Sequence, residues 1–159
     1  MVMSADGFDA FFAATEQVLR RALVATYGPT IGRSAAVDAL SWAWEHWDRV
    51  RHMDNAAGYL YRVGQTAATR SMRPLRTMPI PENAQEATGD VDGGQRADLA
   101  KVLASLSEQQ RVVVVMVHGY AISQRETADI LGISVSTVRE HLARGMNRLR
   151  AEGSVVDGR

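Results

Sequence analysis

Arginine, glutamate and hydroxyl side chains cluster in residues 134–147, where an apolar period of three to four residues predicts a helix. Arg139 and Arg144 can reach guanine edges or phosphates, and Glu140 can accept a hydrogen bond from cytosine N4. A helix with such groups at its N-terminal end suits the major groove of duplex DNA. The predicted contacts to duplex DNA, including one backbone phosphate contact from the preceding helix, are Arg125, Ser136, Thr137, Arg139, Glu140, Ala143 and Arg144.

Two short helices separated by a glycine must position these groups. Ser123, with Glu126 three residues later, fits a capping box at the start of the first helix. Gly132 supplies a turn with positive φ, which a larger residue would strain. Ser134 is then the N-cap of the second helix. The two caps and the glycine between them favour a helix-turn-helix that binds DNA, and the alternative is a plain αα-hairpin.

The inner face of the second helix is apolar. Ile133 and Val138 fit a hydrophobic staple that fixes the angle at which the chain enters the helix. Leu142, Met146 and Leu149 continue that face at helical spacing. The polar groups on the opposite face are therefore left for a partner.

The segment before this pair has an ambiguous pattern. Residues 112–117 have the composition of a strand, and periodicity does not reject a buried strand. Ser107 with Gln110 fits a capping box, and Gly119 fits the position after a helix end. We therefore expect a buried helix over residues 108–118, preceded by another over residues 96–104.

A second group of candidate DNA contacts lies on a helix predicted over residues 59–72, which ends before Pro74. Leu60, Val63 and Ala68 can face the core. Aromatic and arginine side chains on the opposite face can stack on unpaired bases and hold phosphates, although an ordinary solvated arginine face has the same pattern. The outward residues are Tyr59, Arg62, Gln65, Thr66, Arg70 and Arg73.

Tryptophans dominate a further helix, predicted over residues 34–50. One stripe has helical spacing and is expected to be core; it contains Val37, Leu40, Trp44 and Trp47. Trp42 falls instead on the adjoining charged face, so it is either a core residue that wraps around or an anchor for a partner. The charged residues beside it are Asp38, Glu45 and Arg49.

These segments give an all-α chain with two small helical domains. A helix over residues 9–25, which ends at Gly28-Pro29, joins the two helices above in a domain at 1–73. Residues 74–95 contain three of the four prolines and read as a linker. The helix-turn-helix domain then covers 96–151, and 152–159 form a tail.

Composition limits the function classes. There is no cysteine, and neither a signal peptide nor a membrane-spanning run is recognised, so the predicted location is the cytoplasm. The 18 basic and 18 acidic residues cancel, although the linker has a net charge of −3 and the two domains have small positive charges. The four histidines lack metal-site spacing, and no phosphate loop or nucleophile elbow is present. We predict no enzymatic activity, no metal and no cofactor.

The chain resembles the extracytoplasmic-function group of bacterial sigma-70 factors. The segment VLASLSEQQRVVVVMVHGYAISQRETADILGISVSTVREHLARGMNRLR is similar to region 4 of that group. The segments VDALSWAWEHWDRV and GYLYRVGQTAATRSMR are similar to region 2. Three positions depart from the usual region 2 pattern, where the group commonly has Gln, Asn and Asp: they are Ser41, Thr66 and Arg70.

The resemblance implies a factor that binds core RNA polymerase and directs it to promoter DNA. It implies that Asp38, Trp42, Glu45 and Arg49 contact polymerase. The helix at 59–73 would capture the melted −10 element, and the helix from Ser134 would read the −35 element as duplex. An anti-sigma factor is a further partner that the resemblance allows.

Two other functions fit parts of the sequence. A self-contained regulator of the two-component-effector type shares a similar Gly-Ile-Ser-x-x-Thr-Val-Arg sequence and would bind a palindrome as a dimer. An inhibitory protein that binds polymerase or a sigma factor would keep the region 2 surfaces without promoter contact. The tryptophan-rich helix, the arginine-bearing helix and the linker favour the sigma factor.

Overall fold

The computed structural model describes the backbone of residues 5–75 and 101–157, and the side chains of residues 7–72 and 101–152. All regular elements in these ranges are helical, which confirms the all-α prediction. The N-terminal unit, residues 5–75, contains α1 (Ala5–Tyr27), α2 (Pro29–Glu45), α3 (Trp47–Val50) and α4 (Ala56–Leu75). The C-terminal unit, residues 101–157, contains α5 (Glu108–Val114), α6 (Gln124–Leu131) and α7 (Val135–Asp157).

The connection between the two units falls largely outside the described residues. This applies to residues 76–95 of the predicted linker and to residues 96–100 of the helix predicted at 96–104. Residues 101–104 are helical, as predicted. At the other end, α7 continues to Asp157, so most of the segment predicted as a tail extends the last helix.

A sharp turn joins α1 to α2. Gly28 has a φ of 87°, which favours glycine, and Pro29 follows in the first turn of α2, where its missing N–H costs nothing. The helix therefore begins five residues before the predicted start at Ser34. It also breaks at His46, whose φ of −117° and ψ of 30° are not helical. The predicted helix over residues 34–50 is thus two helices, α2 and α3.

The core face of α2 consists of small residues. Ala36, Ala39 and Ala43 are at most 2% exposed, and the backbones of α1 and α2 approach closely where Gly32 meets Val24. The predicted core stripe is wrong at Val37, which is 63% exposed, and at Trp44, which is 40% exposed. The prediction followed side-chain size, whereas the close crossing leaves room only for alanine and glycine.

Of the other two residues in that stripe, Leu40 is buried, as predicted. Trp47 is half-buried against the same core. The ring of Phe8 meets that of Trp47 edge-on at 5.3 Å.

Helix α4 presents Leu60 and Ala68 to the core, as predicted. Tyr61 is also buried, and its hydroxyl is 2.7 Å from Thr26 Oγ1. Burial raises the pKa of Tyr61 to about 12, so its phenol stays protonated and can donate to Thr26. The helix does not stop at Pro74 but continues to Leu75. A proline in the last turn costs less than one in the middle, since few backbone bonds follow it.

The segment whose pattern fitted either a strand or a helix is helical and begins with α5. Ser107 Oγ accepts from the Gln110 N–H, and the Gln110 side chain accepts from the Ser107 N–H, which completes the predicted capping box. A π-helical turn, Val115–Gly119, extends the helix by five residues. The prediction that Gly119 is the left-handed residue after the helix is wrong. Ala121 takes that conformation, with a φ of 56°. The helix ends at Gly119, one residue later than predicted, and the left-handed residue lies two residues later.

The two units share an apolar core. Val112, Met116, Ile122 and Ile130 of the C-terminal unit pack in one cluster with residues of α1, α2 and α4. A second cluster lies within the C-terminal unit and includes Val113, Val114, Ala128, Val138 and Leu142. The described residues thus form a closed arrangement, in which α4 and α1 cover one side of the helix-turn-helix unit.

Candidate nucleic-acid interface

The backbone of α6, the turn and α7 follows the predicted caps. Ser123 Oγ accepts from the Glu126 N–H at 3.0 Å, and Ser134 Oγ accepts from the Thr137 N–H at 3.1 Å. Gly132 has a φ of 69° and ψ of 32°, the left-handed conformation that the turn requires. Only the first bond of the predicted capping box at Ser123 is present among the described residues, because Glu126 does not reach back.

The inner face of α7 is buried as the spacing predicted. Val138 is fully buried and Leu142 is 7% exposed. Ile133, Met146 and Leu149 pack partly buried against the same cluster. The predicted staple partners Ile133 and Val138 therefore lie in one apolar cluster, and the rotation of α7 about its axis is fixed.

This rotation exposes the predicted duplex-reading residues. Six of the seven are exposed and Thr137 is half-buried. Glu140 and Arg144 form an ion pair at 2.7 Å, and both side chains are more than half exposed. Such a pair contributes little to stability and can exchange for contacts to DNA. The free helix surface is therefore polar and able to rearrange.

Gln124 is a member of this surface that the sequence did not indicate. Its Oε1 atom accepts from Arg139 Nε at 3.4 Å, across the two helices of the motif. This long hydrogen bond leaves the terminal guanidinium nitrogens of Arg139 for other partners. The residues are 15 positions apart, so no local pattern could have paired them.

The predicted −10 residues divide between two sides of α4. Arg62 and Gln65 line a cavity of about 210 Å³ that Glu108 and Ile133 of the C-terminal unit close from the other side. Thr66 and Arg70 line a separate cleft between α2 and α4. Tyr59 is half-buried, and the side chain of Arg73 lies outside the described residues.

The predicted polymerase contacts also differ in exposure. Asp38, Glu45 and Arg49 are exposed. Trp42 is half-buried, with its ring stacked on His46 at 4.2 Å and an interplanar angle of 14°. Its ring centroid is 5.4 Å from that of Tyr59. Trp42 is therefore neither a fully buried core residue nor a fully exposed anchor.

An apolar groove lies on the other side of α2, against α1. Its volume is about 730 Å³, and Phe12, Val37 and Trp44 expose their side chains there. These are the large hydrophobic residues that the described part of the chain leaves exposed. A patch of this kind, with Glu45 and Arg33 at its rim, is typical of a protein-binding surface.

Two polar contacts hold the units together at the α4 and α1 sides. Asn55 Nδ2 donates to the Asp129 carbonyl at 2.7 Å, while its Oδ1 accepts from the Gly58 N–H at 3.1 Å and caps α4. Arg21 Nη1 donates to the Tyr120 carbonyl at 3.3 Å, and its guanidinium carbon lies 5.4 Å from the centre of the Tyr120 ring.

Asn55→Asp should loosen this closed arrangement without removing the cap of α4. The carboxylate keeps the oxygen that Gly58 needs and suits a helix N-terminus, but it cannot donate to Asp129 and faces a carbonyl oxygen. Loss of one such bond, worth about 1 kcal/mol, shifts the balance between closed and open forms roughly fivefold. Small-angle scattering should show a larger radius of gyration. Asn147→Asp, the same change at an exposed site, is the control, and equal curves for both variants would contradict the prediction.

No helix in the described ranges has the length and hydrophobicity to cross a membrane. Among the same residues there is no group of three or more histidine, aspartate or glutamate side chains that could hold a metal ion.

The arrangement defines a class of protein, a two-part helical chain that carries a helix-turn-helix. Residues 102–151 match the family model described as Sigma-70, region 4. The chain is 33% identical over 141 residues to the RNA polymerase sigma-E factor of Streptomyces avermitilis, and the match covers 86% of this chain and 69% of the relative. The RNA polymerase sigma-E factor of Streptomyces coelicolor is also 33% identical over 141 residues, and that match covers 86% of this chain and 80% of the relative.

Solved structures agree on the fold. A sigma factor RpoE, in complex with the anti-sigma factor NepR from Bartonella quintana, aligns with a TM-score of 0.61 and 20% identity, covering 94% of this chain and 98% of that one. CnrH in complex with the cytosolic domain of CnrY aligns with a TM-score of 0.59 and 22% identity, covering 98% and 90%.

The chain belongs to the extracytoplasmic-function group of the sigma-70 family. It is therefore a sigma factor, a class of protein that serves in transcription initiation. The relatives match across both units, which favours this reading over a self-contained regulator with an unrelated N-terminal domain.

Proposed function

We propose that this chain binds core RNA polymerase in the cytoplasm and directs it to two-part promoters. The observation that carries the proposal is the capped, fixed orientation of α7, which exposes Arg139, Glu140 and Arg144 and buries Val138. In a helix-turn-helix this end of the helix enters the major groove, and the contacts would read the −35 element. The proposed duplex contacts are Arg125, Ser136, Thr137, Arg139, Glu140, Ala143 and Arg144.

The N-terminal unit would supply the other two functions. Its domain, residues 1–73, would contact the melted −10 strand through Tyr59, Arg62, Gln65, Thr66, Arg70 and Arg73. Residues 74–95 would link it to the −35 domain at 96–151. Because Arg62 and Gln65 line the cavity against the C-terminal unit, the sides of these residues that face the cavity would become available for DNA only when the two units separate. Polymerase binding is the step that we expect to separate them.

Polymerase would dock on the face of α2 that carries the apolar groove. Trp44 and Val37 provide exposed apolar area, and Asp38 and Glu45 provide flanking charge. Exposed tryptophan with charges of both signs at the rim, among them Glu45 and Arg33, suits a partner surface that is apolar at its centre and polar at its edge. The proposed polymerase contacts also include Arg49, which is exposed on α3, and Trp42, whose ring is stacked on His46.

An inhibitor could compete for the same groove. The two solved neighbours are complexes, one with the anti-sigma factor NepR and one with the cytosolic domain of CnrY. We include a protein inhibitor of this kind among the proposed partners. Its binding would cover exposed apolar area that the chain otherwise offers to polymerase.

Reconstitution with core polymerase tests the proposal directly. Run-off transcription over a genomic fragment library should yield discrete transcripts that share two upstream elements, and core polymerase alone should yield none of them. A Trp44→Ala variant should need more protein for half-maximal transcription, with unchanged start sites. If the mixture stays silent while the protein alone protects a palindrome, the chain acts as a self-contained regulator instead.

A further inference from the structure

A row of four exposed side chains follows α2 along the apolar groove between α1 and α2. Arg33, Val37, Ser41 and Glu45 recur every four residues, and all four line the groove. Trp44 stands beside the row and is 40% exposed. The row therefore has a positive end, an uncharged centre of modest size and a negative end.

The charges at the two ends form no ion pair among the described residues. The pairs in that part of the chain leave out Arg33 and Glu45, whereas Arg20 and Glu16, at the other wall of the groove, pair with each other at 2.9 Å. Glu45 is also the last residue of α2, where a carboxylate meets the negative end of the helix dipole. The helix that carries this charge does not favour it, so both ends of the row are available to a partner.

The order of the charges makes the row complementary to itself. In the commonest class of helix crossing, the rows of residues four apart on two helices interdigitate at an angle of about −50°. If two copies of α2 cross in this way in antiparallel directions, the crossing point is the midpoint of the row, between Val37 and Ser41. Arg33 of each copy then lies beside Glu45 of the other copy, and a two-fold axis relates the two contacts.

The sizes of the side chains fit the same crossing. Val37 and Ser41 are short enough to let two helix axes approach to about 8–10 Å. Trp44 of each copy extends toward the α1 side of the other copy's groove, where Phe12 is 42% exposed. The contact thus covers Phe12, Val37 and Trp44, the large hydrophobic residues that the described part of the chain leaves exposed.

We propose that the chain, when free of polymerase, forms a reversible two-fold dimer through this face, with two antiparallel copies of α2 at its centre. A contact built on one pair of helices belongs to the small, transient class of interfaces, so it dissociates on dilution and yields to a tighter partner. The dimer goes beyond the proposed function and does not depend on it. Its consequence does: because polymerase is proposed to dock on the same face, the dimer would withhold the chain from polymerase.

Charge reversal tests the dimer on the free, full-length chain. In sedimentation velocity over a concentration series, Arg33→Glu and Glu45→Arg should each raise the dissociation constant of the dimer roughly tenfold or more, because each reversal places two like-charged pairs in the dimer. An equimolar mixture of the two variants should restore association, and so should the variant with both reversals, because opposite charges then face each other again. Loss in both single variants together with both rescues is specific to a contact between Arg33 and Glu45.

Matched variants separate this contact from overall charge and from misfolding. Arg148→Glu and Glu152→Arg make the same charge changes at a solvent-exposed pair on α7 and should leave the dimer unchanged. Val37→Glu puts a charge at the crossing point on a residue that is 63% exposed, so it should abolish the dimer and keep the wild-type melting temperature. Core polymerase, added in excess, should convert the wild-type dimer into a complex that contains one copy of the chain.

Three results would overturn the inference. The first is a wild-type chain that stays monomeric at every concentration, which would leave the groove to polymerase or to a protein inhibitor alone. The second is a dimer that Val37→Glu does not weaken, which would place the interface elsewhere. The third is a loss in the single variants that neither the mixture nor the double reversal restores. None of these measurements uses transcription, so silence of the wild type with core polymerase would refute the proposed function and leave the dimer standing.

Discussion

Gly32→Ala is expected to lower the free energy of unfolding by about 1–3 kcal/mol, the range for overpacking at a close crossing. A Cβ at this position would lie 2.5 Å from Val24 Cα and 2.6 Å from Val24 N. Both are backbone atoms, so no side-chain rotation can relieve the overlap. Helices α1 and α2 would have to separate, which would disturb the packing between them.

Gly119→Ala is the matched control. Its Cβ would meet only Val115 Cγ1, at 3.5 Å, which is ordinary contact. Thermal unfolding followed by circular dichroism should show a lower melting temperature for Gly32→Ala, by roughly 2–4 °C for each kcal/mol lost. An unchanged melting temperature would mean that α1 and α2 do not cross as closely as the structure shows.

The caps and the turn of the helix-turn-helix could be predicted residue by residue because their signals are local. A cap at Ser134, a left-handed Gly132 and an apolar period that includes Val138 each act within one turn of helix. These features do not depend on what packs against the unit. The one local detail that failed, the reciprocal bond of Glu126, involves a long exposed side chain that water can satisfy equally well.

The N-terminal unit was harder because its core depends on how closely two helices approach. Trp44 and Val37 have the residue types of a core, yet they lie outside because Gly32 and the alanines of α2 let α1 come close on another face. A single sequence shows the apolar period of a helix but not the distance to its neighbour. The alanine row, at the same helical spacing, was the signal that could have indicated the crossing.

Contacts between the two units could not be predicted at all. The bonds from Arg21 to Tyr120 and from Asn55 to Asp129 join residues 99 and 74 positions apart. No local pattern encodes them, because each joins residues that are far apart in the sequence. The sequence could therefore suggest candidate DNA contacts but not that Arg62 and Gln65 face the partner unit.

Arg139→Ala is expected to weaken binding of the holoenzyme to promoter DNA by roughly 5- to 150-fold, the range for loss of one good contact to a base edge. Arg139 is exposed near the N-terminus of α7, and Gln124 holds its Nε atom at 3.4 Å. The remaining guanidinium nitrogens would form the fork that can recognise guanine O6 and N7. Arg139→Lys should restore little, because an ammonium group cannot make the two parallel bonds.

The salt dependence of this loss distinguishes a base contact from a phosphate contact. If Arg139 reads a base, the variant should lose discrimination at one position of the −35 element and keep the same slope of affinity against salt. If it binds phosphate, affinity should fall for all sequences and the slope should decrease by about 1.

Arg148→Ala is the control, since Arg148 lies on a later turn and pairs with Glu152 at 3.9 Å. Equal affinity of the Arg139→Ala and wild-type holoenzymes for every −35 variant would exclude Arg139 from the reading surface. Gln124→Ala provides a further check. If Arg139 contacts a base, Gln124→Ala should lower affinity less than Arg139→Ala, because it removes only the hydrogen bond to Arg139 Nε and leaves the guanidinium in place.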